Sequence, residues 1–481
     1  MAFRLADQCS GAIILAMLVL SPWAFGGTIP AAVRAMNLAG WSLGVLLLLK
    51  LVLDRFGFRT GNRGLVQSRL RRRIVTMLAV ISGLIPAYCL VSALNARAAF
   101  NPATYRFSER PFIAWLPSSF DRDATWAIAG AMLAAVSTFW AIRHWLLADA
   151  VTNAKERQPR GGEPPIGEPA GEAGLPRRMR RLIWILAVNC ALLFIVGMAQ
   201  RTSGTSRLLW LVEPQINKAP STQFGPWAYR SNAAAYFLLA WPLILGLWWS
   251  LRSAIRPAKS RRSARYANYL LPCLVMAAAA PLVSLSRTGL VIGSLSIIAA
   301  LVVVFFGRHR RPSGQRSLLV MVLAGVFCLA VAAEWASLRA RFENDTPDSG
   351  RLAIWNSTWK MFRDYPVYGT GPGSFSSVYS LYRSQSDDYW YAQAHNDWLE
   401  TLATFGIVGS APFILGLSAI GALAVLGGGR PAGSTFAAMT LLAVGNCLLF
   451  ALADFPLQIR SVQFLFLFAC AALSVTSSRE R

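Results

Sequence analysis

Apolar runs of about 20 residues recur along the whole of this 481-residue chain, and each is long enough to cross the hydrocarbon core of a bilayer as a helix. In lipid every backbone N–H and C=O must be satisfied internally, so such a chain is driven to a bundle of spanning helices. Hydropathy predicts about twelve spans. Their limits are Ser10 to Pro30, Ala35 to Leu53, Ile74 to Ala93, Ala124 to Leu147, Leu182 to Gln200, Ala233 to Trp249, Leu270 to Leu285, Leu290 to Gly307, Ser317 to Trp335, Ile407 to Leu426, Thr435 to Asp454 and Ser461 to Val475. The expected fold is a single all-α integral membrane domain over residues 1–481. Only 14% of residues are charged, against about 25% in soluble domains, which argues against a water-soluble enzyme.

The formal charge of +25 would suit nucleic acid if it formed one basic face, but its distribution serves another purpose. Arginine concentrates in short connectors, where positive charge holds a segment on the cytoplasmic side. Arg55, Arg69, Arg71, Arg72 and Arg73 place the connector after the second span there, and strict alternation can then be checked. It puts three further basic connectors on the same side. One is a flexible linker at 148–181, rich in Gly, Pro and Glu and carrying Arg177, Arg178, Arg180 and Arg181; the others hold Arg261 and Arg262, and Arg310 and Arg311. Both termini are therefore expected in the cytoplasm, with the first run kept as an uncleaved signal anchor. The longest connector, a loop at 336–405 between the ninth and tenth spans, falls on the outer face. The seven cysteines lie in or beside apolar spans without a C-x-x-C pair, so neither a metal cluster nor a disulfide framework is implied.

Ion-coupled carriers need ionisable groups near the bilayer midplane. Here Arg34, Lys50, Arg143, His144, Glu334 and Asp454 all sit near span ends, and helix-to-helix hydrogen bonds account for the central Asn189 and Asn446. Chemistry at the outer face is the better expectation. Of three histidines only His395 lies there, in Ala394-His395-Asn396-Asp397-Trp398, where a polar loop becomes a helix. An imidazole with one nitrogen available is a general base near neutral pH. Arg287, in the short turn Ser286-Arg287-Thr288-Gly289, and Arg230, at the start of the sixth span, lie at the same face and suit a phosphate through paired hydrogen bonds. Within the long loop, Leu352, Trp355, Trp359 and Phe362 mark one face of an amphipathic helix that ends at Pro366. Its Arg351 and Lys360 are candidate contacts for an anionic substrate. No strand precedes Gly369-Thr370-Gly371-Pro372-Gly373, so this run is expected to be a turn and not a nucleotide cradle.

Four of these pieces, in this order, resemble the O-antigen ligase and polymerase family of bacterial inner-membrane glycan transferases. They are Arg230 with Asn232; Ser286 to Gly289; Arg351 to Trp355 followed by Pro366 and Gly369-Thr370-Gly371; and His395-Asn396 with Gly406 and Gly409. The resemblance implies a membrane fold similar to other lipid-linked sugar transferases of the C type, with a periplasmic site and no cofactor or metal. It implies a donor glycan on polyprenyl diphosphate and an acceptor such as lipid A-core, with His395 activating the acceptor hydroxyl. Arg287 and Arg230 would hold the diphosphate, and Arg351, Lys360, Asn396 and Asn232 would be further substrate contacts. The small Ser231, Ala233 and Ala234 depart from the family's usual surroundings of Arg230. Membrane lipids are expected partners and nucleic acid is not.

A polysaccharide polymerase or a protein O-oligosaccharyltransferase would use the same donor, base and arginines. From another class, a lipid-linked glycan transporter would depend on a central cavity instead of His395. Transfer from a diphosphate carrier needs a base for the incoming hydroxyl and positive charge on the departing oxygens. The outer residues supply both.

Overall fold

The computed structural model describes residues 1–56, 68–155, 175–254, 266–306, 319–321, 323–325, 349–383, 390–426 and 431–476. Among them the fold is helical apart from one two-stranded hairpin. Among the described residues nine helices are long and apolar enough to cross a membrane: α1 (Ala2–Trp23), α2 (Pro30–Arg55), α3 (Arg69–Leu94), α4 (Arg122–Lys155), α5 (Arg177–Thr202), α6 (Arg230–Ala254), α7 (Leu270–Val283, within the span Tyr266–Val283), α8 (Arg287–Phe306) and the segment that begins at Asp397. The chain is an all-α integral membrane protein. Two short helices, α9 (Ser349–Asp364) and α10 (Phe375–Tyr379), lead into that segment, α11 (Asp397–Leu426), which a non-helical Gly406 breaks into two helical parts. The shorter apolar helices α12 (Pro431–Phe450) and α13 (Arg460–Thr476) complete the order. Eleven predicted spans thus coincide with helices. The span predicted at Ser317 to Trp335 lies mostly outside the described residues, as do residues 156–174 of the linker and 336–348 and 384–389 of the long loop.

At the centre stands α6, buried at every position from Ser231 to Ser250 and enclosed by α5, α7, α8, α12 and α13. Lipid tails are as apolar as leucine, so helices associate there by close fit and interhelical hydrogen bonds, not by expelling water. Both devices are present. Gly40 and Gly44, spaced as G-x-x-x-G on α2, let α4 approach until an added Cβ at Gly40 would lie 2.8 Å from the Cβ of Ala134. Asn446 donates to the Leu238 carbonyl at 3.1 Å and the Ser296 hydroxyl at 2.7 Å, joining α12 to α6 and α8. Asn189 accepts from the Trp23 indole at 2.8 Å, joining α5 to α1.

Hydrogen bonds define two ends of the bundle. At one, Asp7 meets Lys50 at 3.6 Å and Arg178 at 2.5 Å, Arg178 N–H donates to Asp149 at 2.9 Å, and Arg71 donates to the Ser474 carbonyl at 2.6 Å. The basic residues of two predicted cytoplasmic connectors therefore gather at one end. The other end holds His395, Arg230 and Arg287 under a layer of loops and short helices. That layer has its own core of Ile354, Met361, Phe375, Val378, Tyr379, Ala394 and Ala403, against which Phe107 and Phe120 pack.

Two local outcomes differ from the expectations. The loop between α3 and α4 forms a hairpin, β1 (Ala98–Asn101) with β2 (Arg106–Glu109), too short for alternation to reveal. On α9 the buried face is Ile354, Ser357, Thr358 and Met361, while Leu352 and Trp359 remain half exposed. The covering layer accepts the small polar side, because Thr358 returns its hydroxyl proton to the Ile354 carbonyl at 2.7 Å and so needs no outside partner.

Candidate active site around His395

His395 stands two residues before the start of α11 and adopts a left-handed backbone with φ of 51°, rare for a residue with a Cβ. Such conformations persist where their surroundings impose them. Asn396 caps the helix, its Oδ1 accepting from Leu399 N–H at 3.0 Å, and Asp397 N–H donates to the carbonyls of Ala451 at 2.9 Å and Asp454 at 3.2 Å. Behind the turn, Gln458 Nε2 donates to Asp397 at 3.0 Å and to Glu400 at 2.9 Å; Glu400 also accepts from Ala394 N–H at 2.7 Å. The histidine loop and the segment after α12 are thereby clasped into one unit. Alanine at Asn396 removes the cap and is expected to cost about 1 kcal/mol, read as a lowered Tm of the detergent-solubilised protein.

The clasp brings Asp454 to His395. Its side chain is 1% exposed, and Oδ1 lies 3.2 Å from His395 Nδ1. An ionised carboxylate only accepts, so it holds the imidazole proton on Nδ1 and leaves the Nε2 lone pair as the base. The other oxygen, Oδ2, accepts from the Tyr229 hydroxyl at 2.9 Å. Arg351 completes the group: Nη2 donates to the Tyr229 hydroxyl at 3.1 Å and lies 3.9 Å from Oδ2, and Nη1 donates to the Ala453 carbonyl at 3.0 Å. Burial, reinforced by the negative Asp454, pushes the Tyr229 phenol well up, so it stays a neutral donor. Phe455 closes one side, its ring 5.0 Å from that of His395 and stacked on Tyr229 at 5.8 Å.

Tyr229 also ties this group to the candidate phosphate-binding arginines, for the next residue is Arg230, first in α6. Arg230 donates to the Ser221 carbonyl at 2.7 Å. One residue further, the Ser231 hydroxyl meets that of Ser286 at 3.1 Å, and Ser286 accepts from Gly289 N–H at 3.1 Å to cap α8, which begins with Arg287. A side chain at Gly289 would put its Cβ 2.7 Å from that of Ala234, so glycine permits this approach. Two helix N-termini, each opening with an arginine, thus stand together. The positive ends of their helix dipoles, together with the two guanidinium groups, favour an anion. Asn232 is buried in the first turn of α6, whereas Lys360 is exposed on α9.

The glycine run is a crossing of two backbones. Thr370 and Gly371 N–H donate to the carbonyls of Ala403 and Thr404 at 3.0 and 2.9 Å, and Ile407 and Val408 N–H donate to those of Pro366 and Val367 at 2.9 and 3.1 Å. Gly369 and Gly406, with φ of 67° and 63°, lie where the strands of chain touch. Gly409 receives the Tyr88 ring, and the Tyr88 hydroxyl donates to the carbonyls of Tyr368 and Phe405 at 2.7 and 2.8 Å.

Sequence reasoning assigned His395, Arg287 and Arg230 to one face but missed Asp454, Tyr229 and Gln458. Asp454 was read as a span-end charge. The available signal was Asp454-Phe455-Pro456, a carboxylate followed by a helix-breaking proline at the face shared with His395.

The fold and this group define a polytopic membrane protein with a histidine–carboxylate pair beside a cationic helix-end site. Residues 272–414 match a family model described as O-antigen ligase, so that stretch is similar to O-antigen ligases. That stretch includes Arg287, Arg351 and His395 and excludes Tyr229, Arg230 and Asp454. No curated protein matches the chain.

Proposed function

We propose that the protein is a glycosyltransferase of the outer face of the bacterial inner membrane, moving a glycan from polyprenyl diphosphate to lipid A-core. The observation that carries this reading is the contact of His395 Nδ1 with buried Asp454, joined through Tyr229 to the two arginine-bearing helix ends. His395 Nε2 takes the proton of the acceptor hydroxyl as its oxygen bonds to the anomeric carbon. The bond from that carbon to the diphosphate breaks, and its electrons go to the leaving oxygen. Arg287, Arg230 and the helix dipoles of α6 and α8 stabilise the charge that develops there. Direct displacement inverts the anomeric configuration, which product NMR reads; retention would exclude this step.

In this reading Arg351 positions Asp454 and Tyr229. Asn396 shapes the histidine turn, and Asn232 and Lys360 contact substrate less directly than Arg287.

The full chain in lipid nanodiscs, given polyprenyl-diphosphate glycan and lipid A-core, tests the proposal. Glycan attached to lipid A-core is the expected product on a gel. Glycan lengthened on its carrier would make the protein a polymerase, and glycan moved across a sealed vesicle without transfer would make it a transporter. Arg287→Lys keeps one charge but loses the paired hydrogen bonds, and it is expected to lower the transfer rate about a hundredfold.

A further inference from the structure

We infer that the hairpin between α3 and α4, together with Trp390, forms a saccharide-binding platform for donor sugars remote from the reacting carbon. This rests on the glycan-transfer reading and adds to it the place where the chain of sugars lies.

The platform is built from the β1–β2 register. Phe100 pairs with Phe107, their ring centroids 5.1 Å apart. Phe107 roots the hairpin in the core that also contains Ala394, the neighbour of His395. Trp390 lies nearly parallel on Phe100, at 6.0 Å and 24°, and Tyr105 leans against both at 6.4 and 5.5 Å. Beneath the hairpin, the Arg97 guanidinium sits 4.6 Å from the rings of both Phe112 and Phe120. The support is packed, yet Tyr105 is 67% and Trp390 47% exposed. Exposed aromatic rings clustered on a packed support are the kind of surface that recognises a ligand.

Two observations choose a sugar as the occupant. First, a two-stranded hairpin has open edges whose N–H and C=O groups need water, so it stands outside the hydrocarbon. Its polar Asn101, Arg106 and Ser108 are exposed around the rings. A pyranose has the matching character, with C–H faces for the rings and hydroxyl edges for the amide and guanidinium. Second, Trp390 precedes His395 by five residues, which limits their separation to about 18 Å. That is a distance a short run of sugars can bridge.

The test uses the full chain in nanodiscs with two donors, polyprenyl diphosphate bearing one sugar and the same carrier bearing a polysaccharide. Trp390→Ala and Tyr105→Ala are each expected to lower kcat/KM for the polysaccharide donor roughly tenfold, mainly through KM, and to leave the single-sugar donor within about twofold. Trp390→Phe, which keeps an aromatic face, should recover most of the loss. Unchanged kinetics with both donors would overturn the platform while leaving the transfer reading intact. An equal loss with both donors, accompanied by easier extraction of the protein from lipid, would make the rings membrane anchors and also overturn it. Absence of transfer from either donor by the wild-type chain would instead remove the glycan-transfer reading and the platform with it.

Discussion

Alanine in place of His395 is expected to reduce glycan transfer by about 100- to 10,000-fold, the usual effect of losing a positioned general base. Asp454→Asn should approach that loss although it sits a bond away from substrate, because the amide no longer offers a charged acceptor that fixes the imidazole proton on Nδ1. The decisive comparison is the double variant. If Asp454 acts through His395, adding Asp454→Asn to His395→Ala changes the rate little, since residues that work as a unit are not additive. A product of the two single losses would show that Asp454 contributes separately and would overturn the pairing. Asn is the informative substitution: deleting the carboxylate outright would also leave the buried Tyr229 hydroxyl without its acceptor and confuse rate with folding. Matched protein levels in the membrane are therefore part of the measurement.

The largest expected effect on folding is at Gly406. Its φ of 63° disfavours any residue with a Cβ, and an added Cβ would stand 2.4 Å from the Val367 carbonyl oxygen and 2.5 Å from Gly369 N. Neither is the end of a flexible side chain, so the two backbones must part. The four hydrogen bonds between residues 366–371 and 403–408 would part with them. Gly406→Val is expected to cost on the order of 4 kcal/mol or more, read as loss of monodisperse protein after detergent extraction or as a sharply lowered Tm. Gly421→Ala, in the helical part of α11 after Gly406, is the control. Nothing lies within 4 Å of its added Cβ, so helix propensity alone predicts no loss and a gain of up to about 1 kcal/mol. Equal tolerance of both substitutions would refute the crossing as the reason for glycine at Gly406.

The two predictions probe opposite ends of the His395, Asn396, Gly406, Gly409 pattern. Its first half carries the base and the cap of α11; its second half presses α11 against the loop at 366–371, which fixes where that cap stands. The spacing is thus set by a length of helix between the chemistry and its anchor.

Some of this was legible residue by residue. The position of the described spans follows from local hydropathy, because a bilayer judges each run of about 20 residues independently of its neighbours. The grouping of His395 with Arg287 and Arg230 at one end follows from alternation, which is a property of chain order. The turn at Gly369 to Gly373 was also expected, though not what it touches. The hairpin and the buried face of α9 escaped because pattern rules need more residues than four strand positions supply and cannot see which neighbour will cover a helix.

What the chain determines alone, then, is an all-α membrane bundle with a long polar segment bearing one histidine and several arginines. The tertiary structure decided which carboxylate serves that histidine. Asp454 is 59 residues away and looks like an ordinary span-end charge until the clasp through Gln458 brings it to 3.2 Å. Burial then removes water as its competing partner, and at that distance a charge fixes a proton. Hydropathy is local and additive, so sequence reveals it. Contact between distant polar groups depends on the packing of all the helices at once, and only the folded chain displays it.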